Sequence, residues 1–191
     1  MGIDMARRGT ARERILTAAE EIVVKDGVST LTFDKVAEVT GLSKGGILYH
    51  FASKDALVRA MVERFVYRFE TGLAGLEGTD AEPHGRYTRA YVAATMGDAA
   101  STGDQYDRLG ASITAALSNF PDLLEIVHQQ NIRCQAAVEK DGLDPVEATI
   151  IRLAIEGMWM AEVFNVMHLD PAMKQAVIER LIARTRPASS P

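Results

Sequence analysis

The sequence of 191 residues predicts an all-α fold, with an N-terminal three-helix domain built on a helix-turn-helix and joined by a long helix to a larger C-terminal helical domain. Three observations support this. Apolar residues recur at three- and four-residue spacings along nearly the whole chain, and no alternating run marks a strand. Helix starts are explicit, as in Asp144-Pro145-Val146-Glu147 and Asp170-Pro171, where a capping carboxylate precedes a proline whose fixed φ suits a first turn. The segment Leu31 to Leu57, LTFDKVAEVTGLSKGGILYHFASKDAL, reads as helix, tight turn, helix and the opening of a third helix.

The first helix opens on the capping box Thr10-Ala11-Arg12-Glu13, carries Ile15, Ala18, Ala19, Ile22 and Val23 on one face, and closes at Asp26-Gly27. Ahead of it, Met5-Ala6-Arg7-Arg8-Gly9 forms a basic arm that either reaches a neighbouring groove or only aids solubility. Thr32 is a natural cap for a short helix whose Phe33, Val36, Ala37 and Thr40 share a face. Gly41 ends it, Leu42 plugs the angle, and Ser43 caps a brief helix from Lys44 to His50. Ile47 and Phe51 face one side of that helix together. Gly45 and Gly46 each cost on the order of 1 kcal/mol relative to Ala, which a purely structural helix has little reason to carry. Their missing side chains let the backbone come close to another surface. Ser53 caps the next helix, whose free N–H groups together with Lys54 make a seat for a phosphate. Taken alone, this pattern also fits an ordinary bend between core helices, with Tyr49, His50 and Phe51 as aromatic packing.

Leu57, Met61, Phe65, Phe69 and Leu73 step by four along one long helix, expected to end near Gly75 and Gly78. Further helices are expected at about Tyr87 to Ala100, Tyr106 to Ser118, Pro121 to Lys140, Asp144 to Met167, and from Pro171 onward. The helix after Asp144 is apolar almost all round and needs partners on more than one side. Those partners are either a second subunit or, if the helix is central, the core of a monomer. The last helix adds the stripe Met173, Val177, Ile178, Leu181 and Ile182.

The net charge of −5 at first argues against a nucleic-acid partner, but it is unevenly spread. Residues 1–60 hold nine Lys and Arg against eight Asp and Glu, whereas residues 61–191 hold twelve against eighteen. In the first part, Arg7, Arg8, Arg12, Arg14, Lys44 and Lys54 are placed to line one face. A single cysteine, Cys134, excludes an internal disulfide, and the N-terminus shows no apolar signal segment, so a cytoplasmic location is expected. The longest apolar region, Ile150 to Met167, is interrupted by Arg152, Glu156 and Glu162, which argues against a membrane span. The histidines at 50, 84, 128 and 168 have no metal-ligand spacing, and neither a nucleophile elbow nor a phosphate-binding loop occurs. No enzyme activity, metal or cofactor is expected.

Thr32-Phe33, Val36-Ala37, Gly41-Leu42-Ser43, Gly46 through Phe51 and Ser53 through Leu57 together resemble the N-terminal domain of the TetR family of bacterial transcription regulators. The match is nearly ungapped over about a quarter of the chain. It implies residues 1–52 as a helix-turn-helix DNA-binding domain and residues 53–191 as a helical ligand-binding and dimerisation domain. Position by position, it implies that Lys44, Gly45, Gly46 and Leu48 face bases, and that Thr32, Tyr49, His50 and Lys54 grip phosphates, with Ser43 at the helix start. The family often carries a hydroxyl or aromatic residue where Gly46 or Leu48 stands, so specificity is expected to lean on Lys44, Tyr49 and DNA shape.

The resemblance also implies a homodimer through the helices at about 144–167 and 171–185, a palindromic double-stranded operator, and a small-molecule inducer. Candidate pocket residues are Met96, Phe120, His128, Met158, Trp159, Glu162 and Phe164, with Arg89, Tyr106 and Arg133 as polar contacts. Glu162 beside aromatic and methionine residues suits a hydrophobic cation, and the arginines suit a carboxylate or acyl ligand; both stay open. The expected function is a ligand-released repressor. Two alternatives are an activator or ligand-independent regulator of the same family, and a helical ligand-binding or interaction module without DNA binding.

Overall fold

The computed structural model describes residues 9–96, 103–117 and 120–186, and among these every regular element is helical. The arm at 1–8, the expected end of one helix at 97–100 and the tail beyond 186 lie outside the described residues. In chain order the helices are α1 (Ala11–Asp26), α2 (Phe33–Thr40), α3 (Lys44–His50), α4 (Lys54–Thr79), α5 (Arg86–Met96), α6 (Gly103–Leu117), α7 (Pro121–Val138), α8 (Pro145–Val163) and α9 (Pro171–Ala183), with a 3-10 turn at Val28–Thr30.

The expected caps form. Thr10 Oγ1 accepts the Glu13 N–H while Glu13 accepts the Thr10 N–H, which completes the capping box. Asp144 accepts from Val146 and Glu147 at the start of α8, and Asp170 accepts from Ala172 at the start of α9. α4 ends at Thr79, beside Gly78 as expected, and it runs through Gly75 because Leu73 and the neighbouring Leu76 are packed against Ala90, Tyr91 and Cys134. Two helices differ from expectation. α6 begins at Gly103, about one turn ahead of the expected Tyr106. α8 stops at Val163 rather than continuing to Met167: Asn165 adopts a left-handed φ of 54°, which terminates the helix.

The chain divides into two compact units, residues 1–65 with 105–126, and residues 66–104 with 127–191. α4 and α7 therefore each contribute to both. This division by packing falls elsewhere than residue 52, where the DNA-binding part was expected to end. In the first unit, Ile15, Leu16, Val23, Leu31, Val36, Ile47, Leu57 and Met61 are buried in a core shared by α1 to α4. A bidentate ion pair braces α1 to α4, with Arg64 Nε donating to Glu20 Oε1 at 2.7 Å and Arg64 Nη2 2.6 Å from Glu20 Oε2.

In the second unit, α5 packs on α8 and α9 through Val92, Ile151, Ile155 and Leu181. Arg152, which the sequence offered as a charge interrupting an apolar run, is only 6% exposed. It donates to Gln135 at 2.8 Å and Asn131 at 2.5 Å, pairs with Glu156 one turn along α8, and lies over the Tyr91 ring. The Tyr91 hydroxyl donates to Glu156 as well. Burial and then the Glu156 charge push the Tyr91 pKa well above its ordinary value, so the phenol stays a donor. Arg89 is equally buried. It donates to Asp80 and to the carbonyls of Glu82, His84 and Thr185, tying the segment before α5 to the end of α9.

Candidate nucleic-acid interface

The turn between α2 and α3 is built from residues that leave little freedom. Gly41 sits at φ 70°, ψ 13° and returns its N–H to the Ala37 carbonyl at 2.8 Å, the left-handed stop that glycine adopts without strain. Thr40 Oγ1 donates to the Val36 carbonyl at 2.7 Å and accepts the Leu42 N–H at 3.3 Å. From α1, Arg14 Nη2 donates to the Thr40 carbonyl at 2.7 Å. This corrects the expectation that Arg14 belongs to a cationic face: it holds the turn. Ser43 Oγ then accepts the Gly46 N–H at 3.1 Å and fixes the start of α3.

α3 is anchored on one side only. Ile47 is fully buried and Phe51 nearly so; burying a side chain of this size stabilises by roughly 1.5–3 kcal/mol. Arg12 lies over the Phe51 ring at 5.2 Å, which engages another of the expected cations. On the opposite side Lys44, Gly45, Leu48 and Tyr49 are exposed, with Tyr49 86% accessible, while Gly46 and His50 are half-buried. The Tyr49 and His50 rings meet edge to face at 5.1 Å. The two glycines differ in surroundings. A side chain at Gly45 would enter open space, but a Cβ at Gly46 would stand 3.3 Å from Ser43 Oγ, so Gly46 also serves the cap.

Of the remaining expected DNA contacts, Thr32 Oγ1 accepts the Lys35 N–H at 3.2 Å, capping α2. Ser53 caps α4 through Ala56 at 3.1 Å. Lys54 Nζ donates to the Ser29 carbonyl at 3.3 Å. Lys44 Nζ lies 2.9 Å from Asp34 at the start of α2, a pair exposed on both sides and so worth little against a competing phosphate. Thr32, Ser43, Lys44, Gly45, Gly46, Leu48, Tyr49, His50 and Lys54 thus fall on two helix starts and one short helix of the first unit. Asp34 was not anticipated, and Arg14 was expected on a cationic face and not at the turn. Both act across the turn, on partners ten and twenty-six residues away, and helical spacing carries no signal of such pairs.

The expected pocket residues are dispersed. Met158 is buried, Met96 packs at the edge of the α5, α8 and α9 core, and Trp159 and Phe120 are half-buried. His128 and Phe164 are exposed, and Glu162 is held by Lys174 at 2.8 Å. The three polar contacts are otherwise engaged: Arg89 in the tie described above, Tyr106 on the Phe65 carbonyl and stacked on its ring, and Arg133 on Glu70. A cavity of about 490 Å³ opens in the second unit between parts of α4, α5 and α7, and none of the seven residues lines it. Among the described residues there is no group of three His, Cys, Asp or Glu suited to a metal, and no helix long and apolar enough to cross a membrane.

Two family models match. Residues 15–61 fit "Bacterial regulatory proteins, tetR family", and residues 85–186, more than half of the chain, fit "Tetracyclin repressor-like, C-terminal domain". Over 73 residues the chain is 33% identical to the HTH-type transcriptional regulator UidR of Escherichia coli strain K12, covering 36% of this chain and 37% of that protein. It is 36% identical over 63 residues to the regulator SrpR of Pseudomonas putida, covering 30% of each. These matches span well under half the length of either relative. Among solved structures, a transcriptional regulator from Streptomyces coelicolor A3(2) superposes with a TM-score of 0.72 at 20% identity, covering 92% of this chain and 98% of its own. The multidrug binding protein EbrR, complexed with malachite green, superposes with a TM-score of 0.69 at 22% identity, covering 94% and 100%.

Proposed function

Because the chain belongs to the TetR family of bacterial transcription regulators, DNA-binding proteins and not enzymes, we propose that it is a homodimeric repressor that a small molecule releases from a palindromic operator. In this reading residues 1–52 bind DNA, residues 53–191 bind the ligand and dimerise, and the protein works in the cytoplasm, where its operator is. The observation that carries it is the one-sided anchoring of α3. A helix held by Ile47 and Phe51 that turns Lys44, two glycines, Leu48 and Tyr49 outward has a surface with no use in the core of its unit and the right shape for a major groove.

The division of labour on α3 follows from chemistry. Lys44, Gly45, Gly46 and Leu48 would lie along base edges, the glycines allowing close approach and Leu48 meeting thymine methyl groups. Thr32, Ser43, Tyr49, His50 and Lys54 would hold phosphates, aided by the N-terminal N–H groups of α2, α3 and α4. Lys44 would exchange its exposed Asp34 partner for DNA.

Dimerisation is supported by α8. Its inward residues Ala148, Ile151, Ile155, Met158 and Ala161 are buried, and Val146, Ile150, Leu153, Gly157, Met160 and Phe164 are exposed. Those outward positions alternate four and three apart, the spacing of a helix seam, and α9 adds exposed Met173. A second copy related by a two-fold axis would cover this stripe and present two α3 helices to half-sites about 34–36 Å apart. Ligand release is supported by the fold, which in EbrR accompanies a bound malachite green. α4 is continuous from Lys54 to Thr79, so a ligand that displaces its second half also moves its first turn. Release requires tighter ligand binding to the DNA-incompetent state.

Selection of bound sequences from a random duplex library tests the reading. The expected product is an inverted repeat with half-sites one turn apart, absent when Tyr49→Ala replaces the wild type. Enrichment of no sequence by either protein would sink it, and survival of a helical chain that binds only small molecules would favour the non-DNA module.

A further inference from the structure

The cavity in the second unit is lined by chemistry that neither the DNA-binding nor the dimerisation reading uses. Its volume of about 490 Å³ falls inside the roughly 300–1,000 Å³ of ordinary ligand pockets. Three donors border it: His84 from the segment before α5, Arg86 from the first turn of α5, and Lys140 just past α7. Among the described residues, no partner is found for the His84 imidazole or the Lys140 ammonium. Arg86 Nε is shielded from water, makes no hydrogen bond, and has only Glu77 Oε1 nearby at 3.9 Å. The charge of Arg86 has a partner in Glu77, but its shielded Nε lacks a hydrogen-bond acceptor, a cost that a bound acceptor would remove.

Two carboxylates also border the cavity, and both are engaged. Asp141 accepts the N–H groups of Tyr87 at 2.9 Å and Thr88 at 2.7 Å, so both its oxygens cap α5. Glu77 is the counter-charge of Arg86. Pro83, Tyr87 and Ala137 supply apolar wall. Asp141-Gly142, which in the sequence reads only as a helix stop, shapes the rim. Gly142 has φ 85°, and a Cβ there would come within 3.1 Å of His84 Nδ1, so the missing side chain leaves the imidazole its place.

We infer that this cavity binds a small organic carboxylate, its anionic end held by His84, Arg86 and Lys140 and its apolar body against Pro83, Tyr87 and Ala137. A Lys140 ammonium and a His84 imidazole without partners, with an Arg86 Nε that lacks an acceptor, favour an acceptor-rich anion with a hydrocarbon body to meet the apolar wall. A ligand here draws together the end of α4, the start of α5 and the end of α7. An effector role for it rests on the ligand-responsive reading above; the binding itself does not.

The test is an NMR titration of the full chain with benzoate, and with benzamide as the neutral molecule of the same shape. Benzoate is expected to shift amide signals at 83–87 and 137–142 saturably. Benzamide is expected to bind roughly tenfold more weakly or less, and Lys140→Ala and Arg86→Gln each to weaken benzoate by a similar factor. Lys140 is exposed, so its variant folds and decides the matter even if Arg86→Gln does not. No localised shifts, equal binding of benzamide, or unaltered binding by Lys140→Ala overturns the inference. Operator binding, measured on the same samples, separates the two readings. Retained DNA binding with no benzoate site removes only this inference, and a benzoate site without DNA binding removes only the regulator.

Discussion

At the level of single residues, the positions that fix the turn can be told apart from those that would face DNA by what their substitution does. Gly41 has open space where a Cβ would go, so Gly41→Ala meets no clash and bears only the left-handed backbone penalty. A loss of about 1–2 kcal/mol in denaturant unfolding is expected. Tyr49, fully outward, should show the opposite profile. Tyr49→Ala changes stability by no more than about 0.5 kcal/mol while DNA affinity falls. Asp80 gives a pH signature. The Arg89 hydrogen bond, followed by the Glu82 N–H, holds its pKa below the usual carboxylate value. A group whose folded pKa is depressed contributes stability above its unfolded pKa and loses it as pH falls through the folded one. Asp80→Asn should therefore flatten the acid side of the stability curve and leave neutral-to-basic behaviour parallel, as thermal melts across pH would record. The caps at Thr10, Thr32, Ser43 and Asp144 were legible in the sequence, since a cap and the N–H that donates to it lie within a few residues. The Arg14 to Thr40 and Arg89 to Thr185 ties were not, because they join positions that only the folded chain brings together.

Among the elements, α3 and α8 show how local pattern succeeds and where it stops. α3 was readable because its caps and its two anchors repeat at helical spacing. Gly45 tests what the pattern means. Ala at this open position should stabilise α3 by up to about 1 kcal/mol and yet weaken DNA binding, since the added methyl group stands between backbone and groove. A variant that is more stable and binds DNA as tightly would show that Gly45 is not at the interface. α8 was not readable in this way. An apolar helix of all-round character has no preferred face in its sequence, and its orientation is set by what Val92 and Leu181 offer from α5 and α9. Once Ile151 and Ile155 turn inward, the Ile150, Leu153 and Met160 stripe is left outside. Leu153→Glu should leave helix content unchanged and convert a dimer to a monomer in sedimentation; a monomeric wild type would end the dimer reading. The burial of Arg152 was hidden for a related reason. Its i,i+4 pairing with Glu156 was visible in sequence, but the acceptors Asn131 and Gln135 that make its burial tolerable lie on α7.

For the whole molecule, the uneven charge has a functional sense. A chain of net −5 does not coat DNA, so in the proposed reading binding comes from a few placed cations and helix termini and weakens with salt. The fold class and the outward face of α3 were legible because helix periodicity and turn residues are local. The second unit was less so, since a pocket depends on which faces are left unfilled, and aromatic and methionine content does not say which faces those are. The central claim is that the outward face of α3 and the start of α4 grip a specific DNA site. The measurement that tests it most directly is binding of the purified protein to DNA fragments from around its own gene, at two salt concentrations, beside the Tyr49→Ala/Lys54→Ala variant. The account predicts site-selective binding that weakens steeply with salt, and in the variant lower affinity and a salt slope smaller by about one for the lost lysine contact. Equal affinity and equal slope in the two proteins would contradict it.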